Sequence, residues 1–427
     1  MSNELESLLE LSSRQGASHA EVYQVTSQSQ PVFFEGNRLK QLESSQSIGT
    51  ALRLWQDNRP GLAVAYGKID PELLVKKAIA LAKLNDPEII ELAPPRTAIH
   101  NLEGATASVP ELIQLGDQAI TQLRKECPEL ICSAELESER ETTILINSQG
   151  LSCQYSESAL SYYLGAELVR GEDFLGIYDG EYTKDKLDLN SIVEQIIQRL
   201  NWAKQNVNPP QGKVPVLLTA NAATLLWSTV SSALNGKRVK EKSSPWSDRL
   251  QQLVISEQIS LSQQPDKLPY DCPFDDEGMV TEELNLINKG VLNQFYCDRT
   301  IARELNIQST GNGFRPGLDT YPSPSLVNLI VNSGNASFAE LIAQLNNGII
   351  VDQLLGGGAD ISGDFSVNVD LGYRVENGKI TGRIKDTAIA GNVYQILKQE
   401  LVLGNDSIWN GSCFTPSIMV DGISVVG

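Results

Sequence analysis

The chain has 427 residues, 34 of them Lys or Arg and 53 Asp or Glu, for a formal net charge of −19. Apolar residues make up 41% and charged residues 20%, which marks folded globular protein and excludes wholesale disorder. So acidic a chain repels phosphate backbones, and no basic run segregates the charge, so direct binding of DNA or RNA is not expected.

The opening Met1-Ser2-Asn3-Glu4 lacks the basic start and apolar stretch of a secretory signal, and no apolar run approaches the roughly 18 residues of a membrane helix. The cysteines, Cys127, Cys132, Cys153, Cys272, Cys297 and Cys413, are scattered and form no C-x-x-C pair. A cytoplasmic protein with free thiols is expected.

Proline-marked seams at Pro94-Pro95-Arg96 and Asn208-Pro209-Pro210-Gln211-Gly212 suggest three regions, residues 1–94, 95–212 and 213–427. In the first, Leu5, Leu8 and Leu9 set a short amphipathic helix stopped by Gly16. Strands follow at Ala20 to Thr26, Val32 to Glu35 and Leu39 to Ser44. Ile48 to Trp55 and Gly61 to Tyr66 form a hairpin across Asp57-Asn58. Asp70-Pro71-Glu72 opens a helix with a capping carboxylate, a first-turn proline and an acid at the positive end of the dipole. Its apolar stripe is Leu74, Ala78, Leu81 and Ala82.

The second region repeats the mixture. Ser108-Val109-Pro110-Glu111 opens a helix with Leu112, Leu115, Ala119 and Leu123 on one face. Thr142 to Asn147 and Ser152 to Tyr155 flank a turn at Gln149-Gly150, Leu160 to Val169 is a longer strand, and Asp188 caps a helix carrying Val193, Ile196, Leu200 and Ala203. The third region is richer in glycine and strands. Val214 to Thr219 runs into a helix from about Asn221 to Leu234, closed by Gly236. Phe365, Val367, Val369, Leu371, Tyr373 and Val375 alternate strictly into Glu376-Asn377-Gly378-Lys379, a strong hairpin signal, with Ile380 to Ile384 returning. The fold class is therefore α+β: mixed N-terminal regions, then a large antiparallel β-rich domain with a curved sheet or partial barrel.

Five segments occur in order along the chain: Gly16-Ala17-Ser18-His19-Ala20-Glu21-Val22 with Glu43-Ser44-Ser45-Gln46-Ser47-Ile48-Gly49; Phe274-Asp275-Asp276-Glu277-Gly278; Ser309-Thr310-Gly311-Asn312-Gly313; Gly363-Asp364-Phe365-Ser366 with Val375-Glu376-Asn377-Gly378; and Ile389-Ala390-Gly391-Asn392 with Gly404-Asn405-Asp406. In these the chain resembles the TldD/PmbA family, also described as proposed modulators of DNA gyrase, and specifically its PmbA/TldE branch. The resemblance implies a dimer with a TldD-type homologue or with itself, acting on peptides. Catalytic members of the family are similar to metallopeptidases with H-E-x-x-x-H on a helix of the third region and a ligand cysteine near the C-terminus. Such chemistry needs imidazole ligands and a carboxylate to take a proton from metal-bound water. Here the segment ends Ser232-Ala233-Leu234-Asn235-Gly236, which aligns the two histidine positions with Trp227 and Ser232 and the glutamate with Ser228. The chain's two histidines, His19 and His100, lie elsewhere. The resemblance thus implies no catalytic residue and no cofactor in this chain, with zinc only in a TldD-type partner.

The remaining polar motifs have bland readings beside sharp ones. Cys413, near the family's ligand cysteine, reads as a buried thiol in a terminal strand. Asp275, Asp276 and Glu277 could bind a hard cation, but read as a solvated acidic turn. Gly356-Gly357-Gly358 lacks a following Lys-Ser pair and reads as a flexible sheet corner. His19 and His100 read as surface or loop residues. Gly311, Asn312, Gly313 and Arg315 are the candidates for a peptide groove, against a turn needing positive φ. The expected function is a non-catalytic partner subunit of a cytoplasmic peptide-processing metallopeptidase. The alternatives are a peptide-binding or scaffold homodimer, or a peptidase using other residues such as Cys413.

Overall fold

The computed structural model describes residues 2–427. Its N-terminal half contains α1 (Ser2–Arg14), β1 (His19–Glu35), β2 (Arg38–Leu42), β3 (Ser45–Gln56), β4 (Arg59–Tyr66), α2 (Pro71–Ala82), β5 (Arg96–Glu103), α3 (Val109–Glu126), β6 (Ile131–Asn147), β7 (Leu151–Arg170), β8 (Asp173–Thr183) and α4 (Leu189–Trp202). The strands make one curved sheet in the order β4-β3-β1-β6-β7-β5, with β2 added to β1 and β8 to β7. The stretches on either side of Pro94-Pro95-Arg96 therefore share a sheet, joined where β1 pairs β6 from Glu21↔Asn147 to Phe34↔Ala134.

Several strands are longer than their patterns suggest. β1 runs through Pro31, where a missing N–H should break a ladder. On that edge, however, the partner changes: β3 pairs as far as Ser29 and β2 from Val32, so no strand needs a donor at Pro31. β7 likewise changes partner in mid-course, from β5 over Leu151 to Ser158 to β8 from Leu160.

Alternation decides which face is covered. Cys132, Ala134 and Leu136 of β6 and Tyr162, Leu164, Ala166 and Leu168 of β7 pack with α3 and α4. A period of two therefore turns Glu135, Glu137, Glu139 and Glu141 to the opposite face. The helix starts follow their sequence signals. Asp70 accepts from Leu73 N–H, and Glu111 accepts from both the Ser108 N–H and hydroxyl. Two stripes shift: Leu81 is exposed and Leu115 half-buried, while Val75 and Ile120 are buried in their neighbourhood.

In the C-terminal half, Gly212–Leu218, Ile418–Val426, Thr387–Asn392, Asp364–Glu376 and Gly348–Leu355 close into a five-stranded barrel. Closure comes from Gly348–Leu355, which is parallel to Gly212–Leu218 and antiparallel to Asp364–Glu376. The hairpin turn has Asn377 and Gly378 both at positive φ, 51° and 69°. One barrel side packs with α5 (Ala220–Leu234) in a core of Val216, Leu226, Trp227, Val230, Ile349 and Val367. Burying a side chain such as Leu226 contributes roughly 1.5–3 kcal/mol. The other side, with Leu217, Ile350, Leu371, Tyr373 and Val375, shares a core with α3 and α4 and so joins the two halves. Gly236 does not end the chain's helical path; it begins a short second helix, α6 (Gly236–Lys240), after Asn235 breaks α5. No helix among the described residues is long and apolar enough to cross a membrane.

Candidate functional site

α5 carries the three positions where a metal-binding motif would stand. Thr219 caps it, and the Thr219 hydroxyl also donates to Asp352 Oδ1 at 2.9 Å. Trp227 is 1% exposed, and its indole N–H donates to Thr415 Oγ1 at 2.6 Å. Ser228 is exposed and its hydroxyl returns to Leu225 O at 3.2 Å. Ser232 is half-buried. The helix is α throughout. Positions 227 and 232 are therefore roughly 140° apart around its axis, at about 3.6 residues per turn. Nothing widens the helix to bring them together. An indole, with its one N–H already engaged, offers no lone pair to a metal, and neutral hydroxyls are weak ligands. The donor set does not fit a zinc ion.

Cys413 lies in the strand Cys413–Thr415, which packs on α5. It is half-buried, and burial pushes its thiol up to about 12. His19 and His100 both lie in sheet strands, β1 and β5, rather than in loops. His100 is exposed and lies beside the Phe274 ring.

The acidic turn is not solvated. Asp275 is fully buried and Glu277 is 7% exposed. Their carboxylates satisfy backbone donors: Asp275 Oδ1 accepts from Glu277 N and Met279 N, Asp275 Oδ2 from Gly313 N, and Glu277 Oε2 from Arg299 N. Such bonds favour the charged form, but burial outweighs them. Asp275 is held well above the carboxylate range, and Glu277 is pushed up to about 7 by burial with Asp298 adding to it.

The Gly311-to-Arg315 segment turns into this node and does not present its side chains to an open groove. Gly311 has φ +67°. Asn312 is fully buried, donating to Gln263 Oε1 at 2.8 Å and Ser325 O at 2.7 Å. Gly313 is buried against Glu277. Arg315 donates to Glu21 Oε1 at 2.9 Å and Thr320 O at 2.9 Å. Glu21 also pairs with Arg53 at 3.1 Å, so the node fastens the barrel half to β1 and β3. Gly356-Gly357-Gly358 is exposed and takes positive φ at its first two residues.

Open spaces of comparable size occur at several places on the molecule. A cavity of about 410 Å³ separates the β7–β8 hairpin from α5 and the barrel, with Tyr163, Tyr178, Asp179, Asp352, Asp370 and Trp409 among its walls. Tyr163 and Tyr178 stack with centroids 5.9 Å apart and planes 9° apart. Gln353 spans the gap, accepting from Tyr178 N–H at 2.9 Å. Beneath, Arg199 binds Asp179 at 2.6 Å and lies 3.1 Å from Asp352. None of these residues stands in a recognisable motif. The one local signal is Asp370, a polar position in the alternating 365–375 strand.

The sequence pattern of the PmbA/TldA metallopeptidase C-terminal domain matches residues 211–427, half of the chain, and that of domain 1 matches residues 20–82. The chain belongs to the PmbA/TldD family. It is 26% identical over 377 residues to the metalloprotease PmbA homologue of Haemophilus influenzae, covering 83% of this chain and 79% of that one. A Methanocaldococcus jannaschii protein is 25% identical over 98% of this chain and 99% of its own length. The match to metalloprotease PmbA of Escherichia coli O157:H7, 28% identical, spans 46% of that protein. Among solved structures, TldE from Thermococcus kodakarensis superposes with a TM-score of 0.90 at 24% identity, covering 99% of this chain and 100% of that one. A proposed modulator of a DNA gyrase from Thermotoga maritima gives 0.86 at 23%, covering 99% of both chains. At these identities the likeness is one of fold. This PmbA/TldD chain thus keeps the whole fold while its α5 carries no ligand at the three motif positions.

Proposed function

We propose that this chain is the non-catalytic subunit of a peptide-processing metallopeptidase, paired with a histidine-bearing homologue of its own family. The observation that supports the reading is Trp227. Its ring fills the core beneath the motif and commits its N–H to Thr415, so the site is rebuilt as packing within an otherwise retained fold. The chain's part is to enclose and hold substrate for its partner's metal. A thiol raised to about 12 by burial is a poor nucleophile at neutral pH, which weighs against Cys413 as a substitute catalyst. All six cysteines are free, in keeping with a cytoplasmic setting.

The test is to tag the protein in its native cell and weigh what co-purifies. A homologue carrying H-E-x-x-x-H at near-equal stoichiometry is expected, with peptidase activity in the pair and not in either chain alone. A homodimer with no such partner would favour the scaffold reading. Chelator-insensitive peptidase activity of this chain alone would overturn both.

A further inference from the structure

We propose that the cleft between the β7–β8 hairpin and the barrel seats a cationic side chain, lysine or arginine, of a bound peptide. This rests on the reading of the chain as a peptide-holding subunit and names the class of peptide.

The cavity's walls combine three aromatic rings, Tyr163, Tyr178 and Trp409, with three carboxylates, Asp179, Asp352 and Asp370, and no Lys or Arg among the described residues lines it. One guanidinium, Arg199, answers Asp179 and Asp352 from below. Asp352 is 2% exposed, and its Oδ2 accepts no aligned hydrogen bond although Arg199 Nε is 3.1 Å away. Asp370 makes no ion pair or side-chain hydrogen bond among the described residues. Asp352 is pushed up by burial and shares Arg199 with Asp179, so the charge left without a partner at this wall is that of Asp370. An anion is repelled there, and a neutral side chain leaves Asp370 unanswered. An ammonium or guanidinium meets both the charge and the rings.

Two neighbouring features extend the argument. Lys267 Nζ lies 3.9 Å from the ring centroid of Phe414, which packs against Trp409 behind the cavity wall, so an ammonium of the chain itself sits on the neighbouring ring. Beyond Tyr163, which pairs across strands with Glu135, the same sheet face continues through Glu137, Glu139, Glu141 and Glu157. Burial pushes Glu141 up to about 7, with Glu157 and Glu139 adding to it. A passing cation would relieve that crowding. This face of the sheet is thus acidic as far as Tyr163, with Lys184 answering Glu157.

The experiment measures fluorescence anisotropy of labelled hexapeptides with acetylated and amidated ends, glycine and serine flanks, and Lys, Arg, Gln or Glu at one central position. It uses this chain alone and in complex with its histidine-bearing partner. Lys and Arg peptides should bind about tenfold more tightly than Gln, equivalent to about 1.4 kcal/mol, with Glu weakest. The gap should narrow as salt rises from about 50 to about 300 mM. Asp370→Asn, a change at a half-buried and unpaired side chain, should shrink the gap to about two- or threefold with an unchanged melting curve. Trp409→Leu should shrink it further. Equal binding of Lys and Gln peptides overturns the proposal and leaves the peptide-holding reading intact. Failure of every peptide to bind, even in the complex, removes that reading as well. A gap indifferent to Asp370→Asn, or spermidine competing as well as the Lys peptide, also overturns it, in location or in ligand respectively.

Discussion

Arg315 Nη2 lies 2.9 Å from Glu21 Oε1, with both side chains almost wholly buried and the two residues 294 positions apart in sequence. This pair, completed by Arg53, locks the barrel half to the first strand. Glu21 is shared between two guanidiniums, so losing Arg315 still leaves it Arg53, whereas losing the carboxylate removes the ion pair of both buried cations. Glu21→Gln should therefore cost about 3–5 kcal/mol, and Arg315→Met less. Urea unfolding of the two single variants measures this. Arg315→Met costing as much as Glu21→Gln would refute the account.

Stability should fall from mildly acidic to mildly basic pH. Glu277 and Glu141 are each pushed from an ordinary 4.5 up to about 7, chiefly by burial. The folded chain keeps these protons to higher pH than the unfolded one does. Their contribution is fully present below about 4.5 and lost as pH rises through about 7. Unfolding free energy should be on the order of 1–2 kcal/mol per group higher at about pH 5.5 than at about pH 8. Glu277→Gln, which keeps the oxygen that accepts from Arg299 N, should flatten that slope. An unchanged slope in Glu277→Gln would refute the assignment.

What the sequence disclosed was local. The caps at Asp70 and Ser108 and the turns at Asp57-Asn58 and Asn377-Gly378 need only neighbours in sequence, and each stands where its pattern put it. The joins within β1 and β7 were hidden because a strand that exchanges partners loses its clean alternation there. The burial of Asp275 was hidden for a different reason. Its partner Gly313 N lies 38 residues away, and an acidic turn is polar in sequence wherever it ends up. The cavity was the least legible feature, since Tyr163, Asp370 and Trp409 come from three separate elements.

Gly311 should tolerate no side chain. It has φ +67°, and a Cβ there would stand 2.1 Å from Val280 O, a backbone atom that cannot swing aside. Gly311→Ala should cost about 3 kcal/mol or more, combining strain with overlap. Gly67 offers the control. It has φ +77°, and a Cβ on it would meet nothing within 4 Å, so Gly67→Ala should cost only about 1 kcal/mol. Equal melting temperatures for the two variants would show that overlap at Gly311 does not matter.

The last prediction concerns zinc. The purified chain should hold no stoichiometric zinc on α5, because a catalytic tetrahedral site needs about three nitrogen, sulfur or carboxylate ligands and positions 227, 228 and 232 supply none. Restoring the motif as Trp227→His, Ser228→Glu and Ser232→His should recover at most weak binding. The helix turns the two outer positions about 140° apart, which one undistorted α-helix cannot bring to a single ion. The new histidine would also sit in the space of an indole that is 1% exposed, at a cost of about 3 kcal/mol in lost packing. Residues that orient metal ligands are a further requirement, and the hydrogen bond now present runs to Thr415, with the serine hydroxyl at 228 turned back on its own helix. Elemental analysis of the wild-type chain, its Cys413→Ser variant and the triple variant decides the matter. One equivalent of zinc in the wild type, lost on Cys413→Ser, would place a metal site at Cys413 and reverse the reading of this chain as the non-catalytic partner.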